Sequence, residues 1–231
     1  MDQFLTTVAP NPSAEQVIIL IPDIWGLTDY NQATARALAN DYRRPCYILD
    51  YFYQLTNQPS KFDPNLDSQT APGLMEKMRG EDFMETFSKA VSAIKANQSK
   101  LKSIQVVGFC FGGRLAYLAG LDKTVDQIVS FYGAGALKPG FYQDKNVIEA
   151  LCEARSDDQN LQVLSFFGNQ DQSPSPTIVN EFEANMNKAG KKITVNRYEA
   201  GHGFSNPSNP SFNAAAREDS YNKAIAFLKS H

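Results

Sequence analysis

Short apolar runs recur along the chain, separated by stretches whose apolar positions repeat at helical spacing. Val17–Ile21 (VIILI) is β-branched and bounded by Pro22, the pattern of a strand buried on both faces. Pro45–Leu49, Ile104–Val107, Gln127–Tyr132, Leu161–Phe167 and Ile193–Tyr198 read the same way. After Leu27 a helix begins, capped by Asp29 or Asn31, with Ala33, Ala37 and Leu38 turned inward. Phe83, Phe87, Val91 and Ile94 form a helical stripe. Arg114–Leu121, Pro176–Ala189 (stopped by Gly190) and Ser220–Lys229 supply further helices. Gln54–Gly73 has no apolar period and reads as a long surface loop, of the kind that often serves as a lid. This alternation predicts an α/β fold with a mostly parallel central sheet and helices on both faces. No linker-like stretch divides residues 1–231, so one domain is expected.

One junction is more specific than the rest. Val106–Gly113 reads VVGFCFGG, a strand turning through Gly-Phe-Cys110-Phe-Gly into a helix. That is the shape of a nucleophile elbow, in which one side chain is held clear of the sheet for attack. A thiol attacks only as a thiolate, so the chain must also supply a base. Reactive groups of open α/β sheets lie at the carboxyl ends of strands. Asp171 and His202 follow two later strands, and the order nucleophile, acid, histidine is that of the α/β-hydrolase fold. In this arrangement His202 takes the Cys110 proton, while Asp171 fixes the imidazole tautomer and stabilises its cation.

The histidine count narrows the choice of base. Only His202 and His231 exist, and His231 is the last residue, so His202 is the candidate. The same scarcity argues against a histidine-rich zinc site, and no metal or cofactor is implied. Gly108 and Gly112 let backbone segments cross closely at the elbow, and Gly113 lets the helix pack on its strand. The amide of Phe111 faces the developing oxyanion. The second donor comes from the loop after the first long strand, at Ile24 or Trp25. The bland alternatives are a small buried thiol, a turn-capping Asp171 before Ser173-Pro174, and a surface-turn His202.

Composition removes other classes. The net charge is −3 with interspersed signs, which fits neither a nucleic-acid nor an anionic-membrane surface. The longest apolar stretch, Val17–Ile24, is interrupted by Pro22 and Asp23, far short of the roughly 20 residues that span a bilayer. The N-terminal residues lack the pattern of a signal peptide. Cys46, Cys110 and Cys152 show no paired spacing, which points to a reduced, cytoplasmic protein with Cys46 and Cys152 as packing residues.

GFCFGG, GNQD, GHGF and the early IPDIWGL together resemble the dienelactone hydrolase family, a cysteine-using branch of the α/β-hydrolase fold. The resemblance runs from about Val17 to the end. It implies hydrolysis of small ester or lactone substrates through an acyl-thioester. Cys110 is then nucleophile, His202 base and Asp171 its orienter, with the amides of Phe111 and Ile24 as the oxyanion hole. Two positions depart from the family pattern. Where dienelactone-opening members carry a glutamate that tunes the thiol, this chain has Asp23, which is equally placed to cap the following segment. Where they carry an arginine for the substrate carboxylate, this chain has Asn206, which offers no ionic clamp. Both departures argue against dienelactone itself.

Further candidates for the substrate pocket are Trp25, Tyr53, Tyr132 and Phe204, for which core packing is the ordinary role. Arg79 and Arg114 are candidates to meet a substrate anion, with solvated surface charge the default. The departures also motivate rival readings: a fold-retaining binding or regulatory protein with little turnover, or an acyltransferase. The expected assembly is a monomer or small homo-oligomer.

Overall fold

The computed structural model describes residues 3–9, 13–158 and 160–230. His231, read above as a terminal residue without a role, lies outside them. The elements run in the order β1 (Leu5–Val8), β2 (Gln16–Ile21), α1 (Asp29–Tyr42), β3 (Cys46–Leu49), α2 (Tyr53–Thr56), α3 (Thr70–Lys77) and α4 (Gly80–Asn97). They continue with β4 (Ser103–Phe109), α5 (Phe111–Ala119), β5 (Val125–Phe131), α6 (Val147–Ala154), β6 (Gln162–Gly168), α7 (Pro176–Lys188), β7 (Lys192–Tyr198) and α8 (Ala214–Lys229).

Among the described residues the strands form one sheet in the order β1-β3-β2-β4-β5-β6-β7. Only β1 runs antiparallel, against β3; every other pairing is parallel. Alternation along each strand sorts the core into two layers. Val17, Ile19 and Ile21 of β2 join Phe83, Phe87, Leu115, Leu151 and Phe182 from α4 to α7. Ile18 and Leu20 face the other way, onto Leu38 and Tyr42 of α1 and Ala224 and Leu228 of α8. Both faces of the sheet are therefore covered, which is why its central strands are apolar without a polar side.

Several local expectations change. The cap of α1 is Thr28, whose hydroxyl accepts from the Asn31 amide at 3.3 Å, rather than Asp29 or Asn31. The buried face of that helix carries Ala35, Leu38, Ala39 and Tyr42, while Ala33 points to solvent and Ala37 is half-buried. The Gln54–Gly73 stretch is not structureless: it holds the end of α2 and the start of α3. Its middle is tied to the loop after β2. The Leu27 amide donates to the Ser60 carbonyl at 2.7 Å, and the Phe62 amide to the Trp25 carbonyl at 3.0 Å. Gly26, at φ +72°, lies so close to Ser60 that an added Cβ would sit 2.2 Å from the Ser60 carbonyl oxygen. This stitching fixes the loop that carries Asp23, Ile24 and Trp25.

Two elements carried weak signals. β1 is a four-residue edge strand with only Leu5 buried. α6 is fixed instead by a capping box in which Asn146 accepts from the Ile148 and Glu149 amides. α8 starts at Ala214, before the apolar pattern sets in, because Asn213 accepts from the Ala216 amide and the alanines that follow favour helix. No helix among the described residues is long and apolar enough to cross a membrane.

Candidate active site

The site begins with backbone geometry. Cys110 sits between β4 and α5 at φ 54°, ψ −120°, a strained conformation for a residue with a Cβ. Packing around the turn leaves no alternative route. A Cβ on Gly108 would lie 2.1 Å from the Gly112 carbonyl oxygen. One on Gly112 would lie 2.1 Å from the Pro22 carbonyl oxygen and 2.3 Å from that of Ile21. The second contact has a consequence for chemistry: the end of β2 runs against the first turn of α5, bringing Ile24 into the neighbourhood of Phe111.

The three side chains named from the sequence meet at the carboxyl edge of the sheet. His202 Nε2 lies 3.0 Å from Cys110 Sγ, and His202 Nδ1 lies 2.8 Å from Asp171 Oδ2. Asp171 is buried, and its second oxygen accepts from the Ser173 amide at 2.7 Å. One carboxylate thus both accepts from its turn and pairs with the imidazole. Burial acts to lower the His202 pKa, but hydrogen bonds to Asp171 and Cys110, with the charges on both, outweigh it and raise it to about 10. This arrangement favours a protonated imidazole beside the sulfur. Burial pushes the Cys46 thiol far up, and the Cys152 thiol, on α6, is also raised by burial.

The loop after β2 distinguishes the two amides that the sequence offered. The Trp25 amide is taken, donating to Asp23 Oδ1 at 3.1 Å, whereas the Ile24 amide has no hydrogen-bond acceptor among the described residues. Phe111 is the first residue of α5, where helix geometry provides no internal acceptor for its amide. Asp23 also accepts from Asn31 Nδ2 at 3.2 Å, and none of its hydrogen bonds reaches the sulfur. Tyr51 donates its hydroxyl proton to the Asp23 carbonyl at 2.9 Å, so the whole loop is held from both sides.

Burial, only partly offset by these bonds, raises the Asp23 carboxyl from 3.8 to about 6. A folded-state pKa above the unfolded one means stability that is complete below about 3.8 and is lost as pH rises through about 6. Two units correspond to about 3 kcal/mol as an upper figure. Asp23→Asn keeps an oxygen for Trp25 and Asn31 without the buried charge. We expect thermal unfolding to show a Tm raised by several degrees at pH 8 and nearly unchanged at pH 4. An equal shift at both pH values would contradict this.

The remaining candidates separate clearly. Trp25, Tyr132 and Asn206 line a cavity of about 620 Å³ that also contains Asp23, Ile24, Cys110, Asp171 and His202. Tyr132 was not expected to do more than line it. Its φ is 40°, its ring meets the His202 ring edge-on at 5.1 Å, and its hydroxyl pairs with Ser205 at 2.7 Å. Ser205 in turn pairs with Tyr30 at 2.9 Å, so a buried hydroxyl chain backs the imidazole. Ser205 and Tyr30 carried no sequence signal, since lone hydroxyls at those positions match no motif.

Phe204 is a correction: it is wholly buried against Tyr132 and Tyr198, in the core behind the site. Tyr53 is another, because it lines neither cavity beside Cys110 and pairs instead with Gln3. Arg79 is exposed, 3.7 Å from Glu81, and lines a second cavity of about 360 Å³. Arg114 overturns the surface-charge default. It is 6% exposed on α5, with its guanidinium 3.6 Å from the centroid of the Phe141 ring, and it lines the same second cavity as Cys110.

A parallel sheet with a thiol on a strained strand-to-helix turn, facing a histidine and a carboxylate, defines an α/β-hydrolase fold with cysteine at the elbow. The family model described as "Dienelactone hydrolase family" matches residues 4–231, and the chain belongs to that family of ester and lactone hydrolases. A provisionally named carboxymethylenebutenolidase from Synechocystis is 32% identical over 225 residues, covering 90% of this chain and 82% of its own. The carboxymethylenebutenolidase of a Pseudomonas strain is 26% identical over 182 residues, covering 73% and 66%. The fold matches the crystal structure of a provisionally named dienelactone hydrolase from Klebsiella pneumoniae at a TM-score of 0.79 and 18% identity, covering 96% of this chain and 90% of that one.

Proposed function

We propose that the protein hydrolyses small carboxylic esters or lactones in a reducing, cytoplasmic setting, with Cys110, His202 and Asp171 as its catalytic triad. The observation that carries this is the position of His202, 3.0 Å from the Cys110 sulfur on one side and 2.8 Å from Asp171 on the other. The Cys110 proton passes to His202 Nε2, and the sulfur attacks the substrate carbonyl carbon. The carbonyl oxygen becomes an oxyanion that accepts from the Phe111 and Ile24 amides. When the tetrahedral adduct collapses, the C–O bond breaks and the leaving alkoxide takes the proton from His202. This leaves an acyl-thioester on Cys110. Water then gives a proton to His202 and attacks the thioester carbonyl; the thiol leaves with that proton and the acid is released. Asp171 holds Nδ1 protonated throughout, so that Nε2 is always the atom that moves the proton.

The three free cysteines fit a reducing setting, because oxidation of Cys110 would end catalysis. The test is a screen of small esters and lactones against the wild-type protein and the Cys110→Ser variant. Turnover of several members by wild type, with a loss in the variant of at least about a hundredfold, is the expected outcome. Equal rates for the two proteins would remove Cys110 from the mechanism.

A further inference from the structure

Cys110 stands between two cavities of opposite electrical character. The larger, of about 620 Å³, holds His202 together with the carboxylates of Asp23 and Asp171. The smaller, of about 360 Å³, is lined by Arg79, Arg114 and Lys138, with Glu76 as its one carboxylate. Arg79, Lys138 and Glu76 are exposed at its mouth, whereas Arg114 is 6% exposed. Among the described residues no carboxylate forms an ion pair with the Arg114 side chain. Its Nε and Nη2 are buried and, among the described residues, have no hydrogen-bond partner. The ring of Phe141 covers one face of the guanidinium but accepts none of its in-plane N–H groups. Burying a guanidinium with unmade hydrogen bonds is costly, and burial alone lowers the Arg114 pKa to about 10. A cost of that kind beside a nucleophile is explained by an occupant that brings the missing counter-charge.

The side of the thiol decides which part of the substrate brings it. His202 must reach the leaving oxygen to protonate it, so the leaving group lies in the cavity that contains His202. The acyl chain therefore extends the other way, into the cavity lined by Arg114. We infer that Arg114, with Arg79 and Lys138 at the rim, forms an anion subsite for a carboxylate on the acyl part of the substrate. The leaving group is uncharged, since a carboxylate there would meet Asp23 and Asp171. A planar carboxylate matches the fork of a guanidinium, and the cavity accommodates a short dicarboxylic acyl chain. This inference rests on the triad reading for its direction, but the subsite itself can be measured without turnover.

The experiment compares mono-(4-nitrophenyl) glutarate with 4-nitrophenyl pentanoate, which has the same acyl length without the charge. Rates are taken above the uncatalysed background. In wild type, kcat/KM is expected to favour the glutarate ester by at least about tenfold. The ratio should fall to about one in Arg114→Gln. It should also fall severalfold in Lys138→Glu, an exposed substitution with little bearing on folding. A carboxylate on the leaving side, 4-acetoxybenzoate against phenyl acetate, is expected to be disfavoured. Equal kcat/KM for the two acyl partners, a preference that survives both variants, or a preference for 4-acetoxybenzoate would each overturn the assignment. Calorimetry of glutarate on the Cys110→Ala protein reads the subsite alone. Glutarate binding that Arg114→Gln abolishes supports the subsite even if no ester is turned over, which would count against the triad. Absence of glutarate binding at millimolar concentration overturns the subsite whatever the rates.

Discussion

Replacing Cys110 by alanine is expected to bring turnover of activated esters close to the uncatalysed rate, a loss on the order of 10⁵ in kcat/KM. In the proposed mechanism the triad acts as a unit. His202, 3.0 Å from the sulfur, and Asp171, 2.8 Å from the imidazole, would then move one proton on and off Cys110 and have nothing to act on without it. The oxyanion donors survive the substitution, so a small residual acceleration remains. Folding is not expected to suffer, because alanine fills the same φ 54° position with a smaller side chain and the flanking glycines are untouched. Steady-state kinetics on a chromogenic ester checks the rate, and circular dichroism checks the fold. Retained activity in a folded variant would assign the chemistry to another residue.

Asp171→Asn carries the second large effect, a loss of about 10⁴ in kcat. The variant amide has nearly the carboxylate's shape, so the Ser173 amide and the packing around it are preserved. What changes is the hydrogen bond to His202 Nδ1. An amide nitrogen turned toward the ring donates, which forces the proton onto Nε2 and leaves that atom unable to accept from the thiol. The pH behaviour follows with a definite sign. The His202 pKa is raised to about 10, so the stability this pairing adds is complete below about 6.5 and is lost as pH rises through about 10. Asp171→Asn removes much of that gain. Its Tm deficit relative to wild type is expected to be larger at pH 6 than at pH 10.5, as thermal melts at the two pH values will show. A kcat within tenfold of wild type would mean that Asp171 only caps its turn.

Cys110 and its partners were legible in the sequence because their constraints are local. An elbow needs glycines at fixed offsets, and Gly108 and Gly112 are where backbone contacts of 2.1 Å would forbid a side chain. Buried strands were legible because both faces of the sheet are covered, so Val17–Ile21 of β2 are apolar throughout and β4 is apolar apart from Ser103 and a buried Gln105. The Thr28 cap was missed because Asp29 and Asn31 are equally good capping residues, and only the turn geometry selects among them. Arg114 was misread for a different reason. Its burial comes from Phe141, which lies on a distant segment and stacks on a residue one turn into α5. Phe204 and Tyr132 illustrate the same limit: neighbouring aromatics near the histidine have opposite placements, set by how β5 and the loop after β7 meet. Site residues defined by spacing along the chain were readable, and those defined by contacts across the fold were not.

The central claim is covalent, and trapping the intermediate tests it most directly. Wild-type protein turning over an activated ester is quenched in acid, digested and examined by mass spectrometry. The account requires the acyl mass on the peptide containing Cys110, labile to hydroxylamine and absent from Cys46 and Cys152. An adduct on a different residue, or none during sustained turnover, would contradict it.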